Sequence, residues 1–215
     1  METHSLQSQV PLFRGLDGLQ LLRIASEASL ERIPSGGTYY RGLIPPRPAV
    51  YLVSGLVGVR NASAAGRRFG PHLFSSGEWL LLNYTVAGDP EPWGLEVYRD
   101  AVLVHLPYAS LLSLAQVNTQ FAINLMHALA TESQKLYDET ENLLHSDIER
   151  RCTYLLHYLS SRVFHSPQFK LPFTQAQIAD LLHTSREVVS RSFASLKKQG
   201  LIGGDGREIH LKADE

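Results

Sequence analysis

Residues 173–200 read FTQAQIADLLHTSREVVSRSFASLKKQG. Within this stretch Arg186, Glu187, Ser190 and Arg191 lie at i, i+1, i+4 and i+5, so a helix would present them together. Val188, Val189, Phe193 and Leu196 would then form the buried face. An arginine fork matches the O6 and N7 acceptors of guanine, and a glutamate accepts from the cytosine N4 amino group. Lys197 and Lys198 lie further along and suit phosphates. Gln175, Thr184 and Ser185 fall at helix starts, where side chains and backbone N–H groups meet phosphate oxygens. The chemistry this set supports is the reading of base edges, anchored by the sugar–phosphate backbone.

Two short helices must position these groups. Thr174 with Gln177 forms a capping box that starts the first, and Ile178, Ala179, Leu181 and Leu182 give it an apolar face. His183-Thr184 is the turn. Thr184 or Ser185 caps the second helix, with Glu187 three residues after Thr184, and Gly200 ends it. Two helices joined so closely form a helix-turn-helix. Leu201-Ile202, Gly203-Gly204-Asp205-Gly206 and Glu208-Ile209-His210-Leu211 follow as a small hairpin, the wing of a winged helix.

The rest of the chain bounds this reading. It has 215 residues, of which 44% are hydrophobic and 19% charged, enough apolar content to bury a core. Lys and Arg total 20 and Asp and Glu 21, for a net charge of −1, which excludes a histone-like or polybasic protein. Residues 1–145 carry 10 basic and 13 acidic groups, whereas residues 146–215 carry 10 and 8, so the tail is the side suited to an anionic partner. Cys152 is the single cysteine, which excludes an intrachain disulfide and a four-thiolate iron–sulfur or zinc site within one chain. The start lacks a signal-peptide pattern, and the longest apolar stretch, residues 101–115, is broken by His105 and Pro107. The expectation is a soluble cytoplasmic protein with no membrane partner.

Up to about residue 107 the chain reads as β. Val50–Val53 and Leu56–Val59 flank a tight-turn signal at Ser54-Gly55, and Leu95–Tyr98 and Ala101–Val104 flank Arg99-Asp100 in the same way. Many short strands with glycine turns suggest a small antiparallel barrel or double-sheet roll, preceded by a short amphipathic helix over residues 16–29. From 108 to about 144 there is neither Gly nor Pro. Leu114, Phe121, Leu125, Leu129, Leu136 and Leu143 recur at spacings of 7, 4, 4, 7 and 7, the apolar stripe of one long helix. That stripe serves either as core packed on the barrel or as a two-fold dimer interface through Leu114, Phe121, Leu125, Leu129 and Leu136. A second helix follows over residues 147–164.

The order of these elements resembles the CRP/FNR superfamily of bacterial transcription regulators. Pro11-Leu12-Phe13-Arg14-Gly15-Leu16 resembles the family's opening and Tyr51–Val59 its central barrel turn. Gly77-Glu78 resembles the start of its ligand cassette, Leu144-x-x-Asp147-Ile148-x-x-Arg151 its hinge, and Thr184–Arg191 its recognition helix. The resemblance implies an α+β chain in three parts: a double-stranded β-helix (jelly-roll-like) sensor domain over 1–107, a dimerisation helix over 108–145 and a winged helix-turn-helix over 146–215. It implies a homodimer on a two-fold symmetric double-stranded DNA operator, with RNA polymerase as a further partner. By position Arg186, Glu187 and Arg191 fall on the family's base-contacting residues, and Ser190 on the serine of its oxygen-regulator branch. His183 departs from the glycine usual in the turn.

The cassette departs further. The position of the family's phosphate-holding Arg-Ser pair falls at Gly88-Asp89, and residues 79–98 contain no Lys or Arg but three acids, Asp89, Glu91 and Glu96. The family's adenine-contacting pair falls at Leu136 and Tyr137, and Glu78 alone matches a ribose contact. A cyclic nucleotide is therefore not the expected effector. The haem-ligating histidine of the carbon-monoxide sensors falls at Asn83, which leaves His72, His105 and His127 as the histidines for a haem. Trp79, Leu80, Leu81, Leu82, Tyr84 and Trp93 instead offer an apolar, aromatic surface. It either lines a pocket for a neutral effector, with Glu78, Asn83, Leu136 and Tyr137, or fills the core of a regulator that needs none. The cofactor stays unassigned and no metal cluster is expected. Carboxylates such as Glu78 lack a nucleophile–base set, so an enzyme is not expected. The alternative to a sequence-specific regulator is a cytosolic small-molecule or haem-binding module with only non-specific DNA affinity.

Overall fold

The computed structural model describes residues 10–39, 48–62, 68–69, 72–88, 94–205 and 207–212. A 3-10 turn at Pro11–Phe13 leads into helix α1 (Gly18–Glu27), started by an Asp17/Gln20 capping box. The strands are β1 (Ser29–Ile33), β2 (Thr38–Tyr39), β3 (Ala49–Ala62), β4 (Arg68–Phe69), β5 (Leu73–Ser75), β6 (Glu78–Leu80) and β7 (Gly94–Leu106). A short helix α2 (Leu82–Ala87) sits between the last two.

β3 and β7 are the spine. They pair antiparallel along their length, with β1 and β2 on β7 and β4, β5 and β6 on β3. Among the described residues the seven strands pair along an open path and do not close into a barrel. Ser54-Gly55 and Arg99-Asp100 are not turns between short strands. Each strand continues through its pair, and the register shifts between Leu52 and Val57. Gly55 at φ +122° bends β3 there, and a Cβ would stand 2.8 Å from the Ala101 Cα and the Asp100 carbonyl of β7. A bulge needs the same glycine and polar residues as a turn, so the sequence signal is shared.

The helical region after Pro107 is also divided. Helix α3 (Tyr108–Val117) ends at Asn118, whose side chain accepts from the Phe121 N–H (2.9 Å) and starts α4 (Thr119–His145). Leu114 therefore lies on α3, not on the long helix. Leu114 and Phe121 are buried with Leu12, Phe13 and Leu16, and Leu125 and Leu129 pack against the same cluster. The apolar stripe read as a dimer candidate is thus largely taken up inside the chain, because α4 lies over the N-terminal helices. Leu136 is half-buried.

Asp147 caps helix α5 (Ile148–Tyr158), which runs into a π-helical turn (Leu159–Phe164) closed by His165 at φ +50°. Then come β8 (Gln168–Lys170), α6 (Gln175–Leu181), α7 (Arg186–Lys198), β9 (Ile202–Gly203) and β10 (Glu208–Leu211). β10 pairs with both β8 and β9, so the wing is three-stranded. The C-terminal part packs on the roll through one cluster that joins Leu56, Leu73 and Tyr98 to Phe173, Ile178 and Val189. Among the described residues no helix is long and apolar enough to cross a membrane.

Candidate nucleic-acid interface and sensor cavity

The helix-turn-helix is built from local bonds. The Gln177 N–H donates to the Thr174 hydroxyl (3.2 Å), and the Thr174 N–H to the side-chain amide oxygen Oε1 of Gln177 (2.8 Å). His183 turns the chain at φ +53°, and the Thr184 N–H returns to the Ala179 carbonyl (2.9 Å). Ser185, rather than Thr184, caps α7 by accepting from the Val188 N–H (3.4 Å). Burial of Val189, Ser192, Phe193 and Leu196 leaves Arg186, Glu187, Ser190 and Arg191 exposed together. Val188 is half-buried. The backbone N–H and the Ser185 hydroxyl at the helix start hold the Glu187 carboxyl below its usual range, and the neighbouring Arg186 and Arg191 add to this. Glu187 is therefore an ionised acceptor at neutral pH.

The phosphate candidates do not stand alike. Gln175, Ser185 and Lys198 are exposed and Thr184 is half-buried. The Lys197 ammonium donates to the Gly204 carbonyl (2.8 Å) and so braces the wing against α7. Gly204 takes φ +97°, and a Cβ there would meet the Glu208 carbonyl oxygen at 2.1 Å, so this turn requires glycine.

Arg151 is the connector. Its guanidinium donates to the Ser146 (2.9 Å), Leu182 (3.3 Å) and Leu143 carbonyls, tying the end of α4 to the end of α6. The roll adds a second seam. Tyr98 meets Phe173 edge-on at 4.6 Å, Gln177 donates to Glu96 (3.1 Å), and Arg99 bonds the Val163 carbonyl (3.3 Å) and covers the Phe164 ring. The sequence marks Arg99 only as a turn residue and Glu96 only as a cassette acid, not as contacts to the C-terminal part. Both sit in a strand whose alternation shows burial but not what its outer face meets.

A cavity of about 320 Å³ lies between the cassette, the Pro11–Arg14 segment and α4. Of the predicted pocket residues, Glu78 and Trp79 line it. Leu81 and Tyr84 instead pack with the roll's interior, which Val50, Leu52, Phe74, Leu80, Leu95 and Val97 fill. Asn83 is tied by its backbone N–H to the Glu132 carboxylate (3.0 Å). Leu136 is half-buried, Tyr137 is exposed, and neither lines the cavity. Trp93, Asp89 and Glu91 lie outside the described residues. Glu78 accepts from Lys135 (2.8 Å) and from the Ser75 N–H (2.6 Å), and lies 3.5 Å from the Tyr158 hydroxyl. Burial foremost, then the Glu78 carboxylate, pushes the Tyr158 phenol upward.

The histidines are placed as protein partners. His72 bonds Glu139, and His105 bonds the Tyr39 hydroxyl through Nδ1 (3.2 Å), with its Nε2 3.0 Å from the Glu31 carboxylate. His127 is exposed and lines the cavity. Among the described residues no group of three His, Cys, Asp or Glu side chains could hold a metal ion. Cys152 is fully buried, and burial first, then Glu149 and Asp147, pushes its thiol up to about 12.

Residues 149–213 match the Crp-like helix-turn-helix domain. The chain as a whole is similar to proteins of the CRP/FNR type. Over 205 residues it is 24% identical to the CRP-like protein Clp of Xanthomonas campestris pv. campestris, covering 91% of this chain and 89% of that one. It is 25% identical over 127 residues to the transcriptional activator protein Anr of Pseudomonas aeruginosa, covering 56% of this chain but about half, 51%, of that protein. The fold is similar to that of FixK2 from Bradyrhizobium japonicum, with a TM-score of 0.73 at 24% identity over 86% of this chain and 93% of that one. Of these, Anr carries the name of a transcriptional activator.

Proposed function

We propose that the protein is a sequence-specific transcription regulator that binds a two-fold symmetric DNA operator as a homodimer. The carrying observation is the face of α7, where Arg186, Glu187, Ser190 and Arg191 stand exposed beside a braced wing. Arg186 and Arg191 suit guanine, the ionised Glu187 suits a cytosine amino group, and Ser190 takes either. Gln175, Ser185 and Lys198 are the phosphate contacts, joined by Thr184 at the turn, while Lys197 acts chiefly through the wing.

The homodimer uses a different stripe from the one taken up in the core. Ile123, Ala130, Tyr137 and Leu144 recur every seven residues along α4, with Met126, Ser133 and Thr140 between them, and all seven are exposed. That is a heptad seam suited to a parallel partner helix. Two copies paired this way would offer their recognition helices to successive major grooves, about 34 Å apart. RNA polymerase is the partner by which such a complex would act on transcription. The cavity beside Trp79 has both apolar and charged walls, the latter from Arg14, Glu78, Glu132 and Lys135, and the lack of cations in residues 79–98 argues against a cyclic nucleotide.

Selection of bound sequences from a random duplex pool, using the purified full chain, tests this reading. The expected product is an enriched inverted repeat with half-sites one helical turn apart. Binding that falls steeply with salt and enriches no sequence would leave only a tethering role.

A further inference from the structure

The cassette is fastened to α4 by two side chains of the chain itself. Glu132 and Lys135 stand three residues apart and face the same way from the helix. The Glu132 carboxylate accepts from the Asn83 N–H (3.0 Å), in the first turn of α2. That helix has no side-chain cap of its own, since Leu81 occupies the cap position in a left-handed conformation. Its first N–H groups need acceptors, and a carboxylate brought from α4 supplies one.

Lys135 fastens the other flank. Its ammonium donates to the Leu73 carbonyl (2.6 Å) and to Glu78 (2.8 Å), and it lies over the rings of Phe74 and Tyr158 at 5.3 and 5.4 Å. Tyr158 belongs to α5, and its hydroxyl also donates to the Leu73 carbonyl (3.2 Å). The same few atoms thus join the cassette, the long helix and the C-terminal domain. Lifting the cassette from α4 would break charge-assisted bonds at both flanks and disturb a contact with the DNA-binding part.

We propose that Glu132 and Lys135 form a resident clasp that holds the cassette on α4 in place of an effector, so that operator binding needs no added small molecule. This rests on the DNA-binding reading above. It also accounts for the chemistry of the segment: an incoming anion at α2 would meet the Glu132 carboxylate, residues 79–98 offer it no Lys or Arg, and Lys135, which lines the cavity with Arg14, is already engaged by Glu78 and the Leu73 carbonyl.

Hydrogen exchange read by mass spectrometry on the full chain tests the clasp without DNA. The variants are Glu132→Ala and Lys135→Met, with Gln134→Ala, on the exposed side of α4, as the control. Loss of a charge-assisted bond should speed exchange of residues 82–88 in Glu132→Ala by about tenfold or more. Excess sodium acetate should restore part of that protection by refilling the carboxylate position. Lys135→Met should loosen residues 73–80 and 148–158 together, and the control should match the wild type. Should Glu132→Ala fail to fold, Glu132→Gln, which keeps a weaker neutral acceptor, is read in its place with a smaller increase expected. Unchanged exchange at 82–88 in whichever of these variants folds would overturn the clasp. In parallel, wild-type protein freed of small molecules should bind its selected operator, and both clasp variants should bind more weakly. A wild type that binds only after a small molecule is added would refute the effector-free claim. A wild type that selects no operator would sink the DNA-binding reading and, with it, the operator-binding consequence, and the exchange data would still decide whether the clasp exists.

Discussion

Phe121 separates two roles for the helical region with one substitution. Its ring is fully buried against Leu12, Phe13, Leu16 and Leu114 of the same chain. A phenylalanine buries about 150–250 Å², worth about 4–6 kcal/mol at about 25 cal/mol per Å². Phe→Ala changes in other cores cost about 3–5 kcal/mol, and that is the working figure. For a chain of this size each kcal/mol lowers the melting temperature by about 2–4 °C, so Phe121→Ala should lower it by about 6–20 °C. Met126→Glu with Leu144→Glu touches residues that are 60% and 70% exposed. That pair should leave the isolated chain's stability within about 1 kcal/mol. It should nevertheless split the dimer by setting four carboxylates across the two-fold seam. Thermal melts over a hundredfold range of protein concentration, together with sedimentation velocity, read both effects. Phe121→Ala should melt early at every concentration and still assemble. The double variant should sediment as a monomer. A Phe121→Ala protein that melts like the wild type but has lost its partner would refute the assignment of this face to the core.

Arg186→Ala should weaken operator binding by about 1–3 kcal/mol and relax the choice at one base pair. A second selection with the variant checks this, and an unchanged preference would remove Arg186 from the reading role. His183→Gly should relieve a left-handed backbone that costs a non-glycine residue roughly 1 kcal/mol. Burial first, then Arg151, lowers the His183 pKa below its ordinary value of 6.5, so the folded state resists the proton that the unfolded chain accepts. Stability from this group is complete above that ordinary value and declines as pH falls toward the lowered one. Melts from pH 8 to 5 should show a shallower acid loss in His183→Gly, and parallel curves would remove His183 as a source of it. Cys152, with its thiol pushed up to about 12, should resist a thiol reagent at pH 8 and react only as the chain unfolds. Rapid labelling of the native protein would show that α5 opens locally.

What the sequence settles here is short-range. A capping box needs Thr174 and Gln177 three residues apart, and a recognition helix needs its apolar and polar sides a few positions apart, so both are legible in one segment. The glycines and the lack of cations in the cassette are equally plain from the residues alone. Where two meanings share one local signal, tertiary structure decides between them. Ser54-Gly55 serves a turn or a bulge, and only the presence of β7 alongside keeps β3 continuous. The leucine stripe serves a core or a partner helix, and only the N-terminal segment lying beneath α4 assigns Phe121 to the core and leaves Tyr137 and Leu144 outside. Asn118 divides the helical run because its side chain caps α4, although nothing in the apolar spacing marks a break. The clasp is the furthest from the sequence. Glu132 and Asn83 are 49 positions apart, and Lys135 and Glu78 are 57 apart. No local pattern encodes such pairs, because they exist only once the roll and the long helix have packed together.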